Sequence, residues 1–306
     1  MRILNLGSLN IDYVYRVDRF VAPGETKSSQ SLLINAGGKG LNQSIAAAKA
    51  GNAVLHAGLL GRDGQMLKQQ LTANGVDVSL LEDSDQVSGH AIIEVDASGQ
   101  NRILLYGGTN QLLTEDQVDR TLDAFGSEGV VLLQNETNLV GYIMEQAKKR
   151  GLKIAFNAAP MNEKVFTYPL ELVDYLIVNE VEGAGIVHQE TYEAIFEALC
   201  KRFPACTILL TLGRSGAVCR HGDERASIAA CTVKAVDTTA AGDSFTGYFL
   251  YGMLNDLPLK ATLRLATCAS ALAVTRNGAA ESVPTMDEVQ EAIRTGSIQA
   301  PEAKDL

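Results

Sequence analysis

The segment 237–246, "DTTAAGDSFT", combines small residues with one acidic side chain, Asp243. Small residues at 240–242 allow the backbone to approach a ligand closely, and a helix that follows them points free N–H groups at an anion. The helix dipole favours a carboxylate at this position, so Asp243 is suited to accept the proton of an attacking hydroxyl. The pattern predicts a phosphate-binding turn beside a general base. From these residues alone, an ordinary helix-capping aspartate is the alternative.

Two further segments follow β-type runs. "TLGRSG", residues 211–216, could curl round nucleotide phosphates with Arg214 as a charge partner, although a plain β-turn is the alternative. "VNEVE" places Asn179 and Glu182 three residues apart, which suits two oxygen ligands near hydrated Mg²⁺. A helix cap with no ligand would have the same sequence.

The glycine-rich segment "NAGGKGLNQS", residues 35–44, is not a Walker loop. Leu33 and Gly40 stand where that motif requires Gly and Ser or Thr. No Gly-x-Gly-x-x-Gly follows the first predicted strand, so a Rossmann dinucleotide site is not supported. Taken alone, the segment could be a tight turn. The four histidines show no metal-ligand spacing to one another or to cysteine.

The composition is that of a compact globular protein. Its 306 residues include 46% apolar and 20% charged side chains, and the net charge of −10 argues against nucleic acid or an anionic membrane surface as a partner. The five cysteines contain no Cys-x-x-Cys, which favours reduced thiols. With no long apolar stretch at its start, the chain is expected in the cytoplasm, without a membrane anchor.

Short apolar runs alternate with helical ones along the chain, which predicts a parallel, helix-covered sheet. Gly51, Gly75 and Gly151 stand where left-handed residues would end helices. Two segments, about 11–35 and 88–108, break the rhythm with alternating polar and apolar residues, and "DASGQ" predicts a hairpin turn. We expect one domain, 1–306, in which these segments form a small β-sheet lid. Because the edge of a small sheet needs cover, we also expect a homodimer through the lids.

Five separated motifs resemble, in order, those of the ribokinase-like (PfkB) carbohydrate kinases: "GSLNIDYVYRVDRFVAPGET", "NAGGKGLNQS", "NAAP" with "NEVE", "TLGRSG" and "DTTAAGDSFTG". The resemblance covers nearly the full chain. It implies a three-layer α/β sandwich, in which helices flank a central, mostly parallel sheet, with a small β-sheet lid.

The resemblance also implies an activity: Mg²⁺-dependent transfer of the γ-phosphoryl group of ATP to the primary hydroxyl of a small sugar. "GGKGLNQS" and "ALAVTRNGAAESVP" are most similar to the members that convert D-ribose to D-ribose 5-phosphate. Fructokinase, 2-keto-3-deoxygluconate kinase and nucleoside kinase activities remain alternatives, as does a non-catalytic sugar-binding regulator.

The resemblance assigns site residues in five groups. The catalytic base is Asp243, and the anion hole is Ala240, Ala241 and Gly242. The sugar-binding residues are Asn10, Asp12, Gly38, Lys39, Asn42, Glu136 and Asp243. The ATP-binding residues are Asn179, Thr211, Gly213, Arg214, Gly216 and Thr267, and Glu182 reaches Mg²⁺ through water. A monovalent cation, expected to be K⁺, is held by Asp237, Thr239, Ala273, Arg276, Gly278 and Ser282. An Asx-turn in which Asp237 caps Thr238 and Thr239 is the alternative to that cation.

Four positions depart from the family pattern. Thr267 stands where an adenine-proximal Asn is common, Ala240 where Gly is more frequent, and Leu41 and Ser44 where Ala is.

Overall fold

The structure, a computed structural model, describes residues 1–306. Its strands are β1 (Ile3–Leu6), β2 (Asn10–Arg16), β3 (Ser31–Gly37), β4 (Val54–Gly61), β5 (Asp77–Ser84), β6 (Gly89–Val95), β7 (Asn101–Tyr106), β8 (Val130–Gln134), β9 (Lys153–Asn157), β10 (Tyr175–Asn179), β11 (Thr207–Thr211), β12 (Ala217–His221), β13 (Glu224–Ile228) and β14 (Lys304–Asp305). Its α-helices are α1 (Lys39–Lys49), α2 (Gln65–Ala73), α3 (Glu115–Phe125), α4 (Val140–Lys149), α5 (Glu180–Val187), α6 (Tyr192–Arg202), α7 (Ala241–Leu254), α8 (Leu259–Ala273) and α9 (Met286–Thr295).

Ten strands form the large sheet in the order β14-β13-β12-β11-β10-β9-β8-β1-β4-β5. The seven strands from β11 to β5 in this order are parallel, and β12, β13 and β14 add antiparallel strands at one edge. Parallel strands that are covered on both faces are largely apolar, as β1 ("ILNL") and β11 ("TILLT") are. The predicted α/β sheet is confirmed.

Helices cover both faces of this sheet. Alternate strand residues project into two cores: Ile3 and Leu132 pack with side chains of α1, α2, α7, α8 and α9, whereas Leu4 and Leu133 pack with those of α3, α4, α5 and α6. The molecule therefore has the three layers that the sequence predicts. Gly51, Gly75 and Gly151 follow helices with φ of 104°, 77° and 77°, which confirms their role as left-handed terminators.

A second sheet of four strands has the order β3-β2-β6-β7. β2 runs antiparallel to β3 and parallel to β6, and the predicted hairpin joins β6 to β7. Asp96 accepts hydrogen bonds from Ser98 and Gln100 in that hairpin, and Gly99 adopts φ 83°. The sheet leaves many large apolar side chains exposed: Leu32, Leu33, Ile34, Ile92, Ile103, Leu104, Leu105 and Tyr106.

No helix is both long and apolar enough to cross a bilayer. All five cysteines are free thiols.

Candidate active site

The turn before α7 is an uncapped helix start. Ala240 is the N-cap, in the left-handed conformation with φ 60° and ψ 9°, and it offers no side-chain cap. Asp243 is the third residue of α7, so the alternative of a plain capping aspartate is wrong. The N–H of Ala241 lies 3.4 Å from the carbonyl of Thr238, but those of Gly242 and Asp243 have no acceptor in the protein. These two amides are free to bind an anion.

Asp243 lies buried between α7 and α1, with 7% exposure. Its Oδ2 accepts a hydrogen bond from Asn42 Nδ2 at 3.1 Å and its Oδ1 accepts one from Gln43 Nε2 at 2.9 Å. The helices approach closely because both are lined with small residues: a Cβ at Gly247 would lie 2.5 Å from the backbone of Ala46. This packing brings α1 within hydrogen-bond reach of the carboxylate.

Lys39 begins α1 and faces the same space. Its predecessor Gly38 adopts φ 96° and leaves α1 without a side-chain cap. Burial acts to lower the pKa of the Lys39 ammonium group, but nearby carboxylates raise this pKa overall. Those carboxylates are Asp243, Glu136 and Glu182. The site therefore holds a charged lysine among three acidic groups.

A cavity of about 210 Å³ joins these groups at the carboxyl ends of the strands. It is lined by the turn 240–243 together with Lys39, Asn179, Glu182 and Thr211. Six further residues that line the cavity were not among the predicted site residues: the polar Asn157, Thr238 and Thr246, and the apolar Ala159, Ile177 and Val178. Asn157 ends β9 within "NAAP", so its position after a buried strand was the available signal.

Asn179 and Glu182 form the helix cap that was the alternative interpretation of their spacing, and their role near Mg²⁺ stays a prediction. They form a capping box on α5, in which Glu182 Oε2 accepts from the Asn179 N–H at 2.7 Å and Asn179 Oδ1 accepts from the Glu182 N–H at 3.1 Å. Both also line the cavity. Burial raises the pKa of Glu182.

Four of the residues assigned to ATP lie outside this cavity. Gly213, Arg214 and Gly216 belong to the short turn between β11 and β12, where the two glycines adopt φ 52° and 106° and Arg214 is exposed. Thr267 is buried in α8, and its hydroxyl has no hydrogen-bond partner. Their roles stay predictions.

A second cavity, of about 250 Å³, contains Asn10 and Glu136 among mostly polar residues. Glu136 Oε2 accepts from the Lys39 N–H at 3.0 Å and from the Ser8 hydroxyl, and burial raises its pKa. Asn10 Oδ1 accepts from Asn110 Nδ2 at 2.8 Å. Nothing in the sequence pointed to Ser8 or Asn110 as supports for this site.

Asp12 lies on β2 opposite Asn35 of β3, its side chain lies beside Gly37, and its carboxylate has no hydrogen-bond partner. Burial raises its pKa to about 7, and the charges of Glu136 and Glu281 add to the effect. A partly buried, unpaired carboxylate suits recognition of hydroxyl groups.

The two loops assigned to a monovalent cation pack together. Asp237 Oδ2 accepts from the Gly278 N–H at 3.1 Å, and the N–H of Val236 donates to the carbonyl of Val274 at 2.7 Å. Asp237 Oδ1 accepts from the Thr239 N–H at 2.9 Å and from its hydroxyl at 2.6 Å, as in the Asx-turn alternative. Buried Ser282 donates to the carbonyl of Ala279 at 2.8 Å.

The family model for pfkB carbohydrate kinases matches residues 2–286. The chain therefore belongs to the pfkB family of carbohydrate kinases.

Among its relatives, a protein named ribokinase from Haemophilus influenzae is 35% identical over 296 residues, which cover 94% of this chain and 96% of that protein. The structure of a ribokinase from Cryptococcus neoformans in complex with ADP superposes with a TM-score of 0.84 at 31% identity, covering 95% of this chain and 99% of that one. The structure of an Arabidopsis thaliana ribokinase complexed with ribose and ATP gives a TM-score of 0.83 at 28% identity, covering 95% of this chain and 97% of that one.

Proposed function

We propose that this protein is an ATP-dependent kinase of D-ribose that forms D-ribose 5-phosphate. The observation that carries the proposal is the buried carboxylate of Asp243 beside the free amides of Gly242 and Asp243. A carboxylate held there is suited to deprotonate a hydroxyl, and the free amides are suited to the charge that develops on a transferred phosphoryl group.

The chain's own residues perform the catalytic step. ATP supplies the phosphoryl group when it is bound. Asp243 takes the proton of the sugar's primary hydroxyl, while the N–H groups of the turn 240–243 and the ammonium of Lys39 stabilise negative charge. Positioning and electrostatics lower the barrier, with no covalent enzyme intermediate.

The donor set fits Mg²⁺ that is held mainly by phosphates. The structure contains no cluster of three or more His, Cys, Asp and Glu side chains that could hold a metal alone. Glu182 lines the cavity beside Asn179, and its carboxylate would reach Mg²⁺ through water.

Sugar recognition is assigned to Asn10, Asp12, Gly38, Lys39, Asn42, Glu136 and Asp243. Asn42 Oδ1 is buried without a partner, and the partly buried carboxylate of Asp12 also lacks one, so a ligand that supplies hydroxyl donors would satisfy both. Sites of this kind reject sugars that leave such a group unpaired.

A steady-state assay of ADP release tests the proposal. The panel contains D-ribose, 2-deoxy-D-ribose, D-fructose, 2-keto-3-deoxygluconate and adenosine. We expect D-ribose to give the highest kcat/KM. A higher kcat/KM for another compound would reassign the substrate within the family. If no compound in the panel gave ADP release, the kinase assignment would be overturned.

We further propose that K⁺ binds behind the anion hole, between the loops of Asp237 and Ser282. Carbonyl oxygens of Thr239, Ala273, Arg276 and Gly278 complete the ring, which suits a large, weakly hydrated cation. Its charge would fix the turn and strengthen the field on the phosphoryl group. At constant ionic strength, kcat should rise several-fold when K⁺ replaces Na⁺ or tetramethylammonium. Equal kcat values with K⁺, Na⁺ and tetramethylammonium would mean that Asp237 only forms the Asx-turn and binds no cation.

We propose a single domain, 1–306, whose four-stranded sheet, at about 11–35 and 88–108, acts as a lid and pairs with the lid of a second copy. The exposed apolar side chains of β3 and β7 support this pairing, because burial against an identical sheet would remove them from water. Light scattering at micromolar concentration should give a dimer, and a monomer would count against it. A cytoplasmic location, which the free thiols favour, completes the proposal.

A further inference from the structure

Behind Asp243, a chain of buried amide side chains crosses the molecule from α7 to β1. We propose that Gln43, Gln134 and Asn5 are positioning residues. Each of these amides has one fixed orientation, so that their hydrogen bonds hold the Asp243 carboxylate in place. The inference rests on the proposed function, in which Asp243 is the base. None of the three side chains lines either cavity.

The contacts are continuous. Gln43 Nε2 donates to Asp243 Oδ1 at 2.9 Å, and Gln134 Nε2 donates to Gln43 Oε1 at 2.8 Å and to Asn5 Oδ1 at 3.2 Å. The exposed fractions of Gln43, Gln134 and Asn5 are 0%, 1% and 0%. Buried amides of this kind are costly unless their partners are complementary, so an apolar core would be the cheaper filling.

The direction of the chain is set at the end far from Asp243. Asn5 Nδ2 lies 2.8 Å from the carbonyl oxygen of Gly40, which can only accept. Asn5 Oδ1 must therefore face Gln134, and Gln134 must use both N–H groups of its amide as donors. Gln43 then accepts with Oε1, so its own amide nitrogen faces Asp243.

Gln134 Oε1 is buried without a hydrogen-bond partner, and the contacts of Ser44 agree with this direction. Asn5 Nδ2 also donates to Ser44 Oγ at 2.8 Å, so the Ser44 hydroxyl is free to donate to His56 Nδ1 at 2.8 Å. That bond requires a neutral imidazole, and complete burial lowers the pKa of His56 to about 4. At neutral pH each amide orientation in the chain is thus determined.

The backbone leaves room for this arrangement. A Cβ at Gly7 would lie 2.6 Å from both Asn5 Oδ1 and Gln134 Oε1. Gly7 follows β1 directly, so the close approach of the amides depends on the absence of its side chain.

The consequence for Asp243 is a fixed carboxylate plane. Gln43 holds Oδ1 and Asn42 holds Oδ2, so rotation of the carboxylate breaks two hydrogen bonds to a charged acceptor. Orientation of a base acts on the chemical step more than on substrate binding. Loss of these amide hydrogen bonds should therefore lower kcat and leave KM for sugar and KM for ATP almost unchanged.

Gln134 gives the cleanest test, because it contacts neither Asp243 nor a cavity. Gln134→Met should lower kcat about tenfold, with KM for sugar and for ATP within twofold of wild type. Gln134→Glu, which is nearly isosteric, should be at least threefold worse than Gln134→Met. The ionised carboxylate of the Gln134→Glu variant would face two acceptors, Asn5 Oδ1 and Gln43 Oε1. To donate to this carboxylate, the Gln43 amide would have to rotate and would then place its oxygen toward Asp243. Val130→Ala, on the same strand and in the core on the same side of the sheet, controls for lost stability and should keep kcat within twofold.

A double-mutant cycle completes the test. Since Gln134 acts through Gln43, adding Gln134→Met to Gln43→Leu should lower kcat less than twofold further. Wild-type kcat in Gln134→Met, better activity in Gln134→Glu than in Gln134→Met, or multiplicative losses in the double variant would overturn the inference. A readout without activity separates it from the proposed function. By NMR of the ligand-free enzyme, the Nε2 protons of Gln43 and Gln134 should exchange slowly with water. Rapid exchange would show that the amide hydrogen bonds are absent, whatever the substrate.

Discussion

The first turns of α9 and α7 differ in what their backbone N–H groups bind, since the first N–H groups of any helix lack an acceptor within the helix. At α9, Glu288 Oε2 accepts from the Thr285 N–H at 2.7 Å and Thr285 Oγ1 accepts from the Glu288 N–H at 3.3 Å, a complete capping box. At α7, Ala240 provides no cap, adopts φ 60° and leaves the amides of Gly242 and Asp243 without acceptors. The amides that α9 uses for its own stability are kept for a ligand at α7.

Two acidic groups, Glu288 of α9 and Asp12 of β2, differ in a similar way. Hydrogen bonding to Arg276 lowers the pKa of Glu288, so this carboxylate stabilises the fold when it is charged. Burial raises the pKa of Asp12 to about 7, so its charge costs stability. Interactions of the backbone and of the carboxylate are therefore complete at α9 and Glu288, whereas the Gly242 and Asp243 amides of α7 and the Asp12 carboxylate have no partner in the protein.

The largest expected effect is on Asp243. Asp243→Asn keeps the shape of the side chain but cannot accept the proton, so kcat should fall by about 10² or more. ATP should still bind, as measured by calorimetry. Glu288→Gln, at the corresponding third position of α9, is the control and should leave kcat within twofold. An Asp243→Asn enzyme within threefold of wild type would remove the base from the mechanism.

The second prediction concerns Asp12. Asp12→Asn should lower kcat/KM for D-ribose about 30-fold, or about 2 kcal/mol, through lost hydrogen bonds to sugar hydroxyls. It should also stabilise the protein. The folded state binds the Asp12 proton more tightly than the unfolded state, so wild-type stability from this group is lost as pH rises from 3.8 to about 7.

Urea unfolding at pH 8 and below pH 4 checks the sign. Asp12→Asn should be more stable than wild type at pH 8, and the difference should vanish below pH 4. Glu288→Gln should show the reverse at pH 8, a loss of stability. A destabilised Asp12→Asn protein at pH 8 would mean that this carboxylate has a partner.

The third prediction separates stability from activity within α7. A Cβ at Gly242 meets no atom within 4 Å, and the residue lines the cavity of about 210 Å³ that is proposed to bind ATP. Gly242→Ala should therefore raise the free energy of unfolding by about 0.5 kcal/mol through helix propensity. The added methyl group should reduce kcat/KM for ATP about tenfold, because it crowds the anion hole.

Gly141 provides the matched control, since it is also the second residue of its helix, α4. Gly141→Ala should give a similar gain in stability and no change in kcat/KM. Equal kcat/KM for ATP in both variants would show that phosphate does not approach Gly242.

Much of the fold followed from sequence, because apolar runs, glycine terminators and one hairpin turn are local signals. The turn 237–246 was likewise recognisable from its small residues and single acid. Gln134 and Asn5 were not, because a glutamine that ends an apolar strand and an asparagine within one carry no sign of a partner more than ninety residues away. Their role depends on strand order, which places β8 and β4 on either side of β1. The raised pKa of Asp12 also depends on burial that only the fold shows.

The smallest expected effect tests whether the conformation of Ala240 matters for activity. A left-handed conformation costs a non-glycine residue about 1 kcal/mol, and Gly adopts it freely, although Gly loses more entropy on folding. Ala240→Gly should therefore stabilise the protein by about 0.5 kcal/mol and keep kcat within twofold, because the N–H groups of the turn stay in place. Thr285→Ala, which removes the cap of α9, should destabilise by about 1 kcal/mol with kcat again unchanged. Urea unfolding and steady-state kinetics on the two variants check both signs. A fall in kcat for Ala240→Gly alone would mean that strain in this turn helps to hold the anion hole open, and the contrast between α7 and α9 would then include backbone conformation as well as hydrogen bonding.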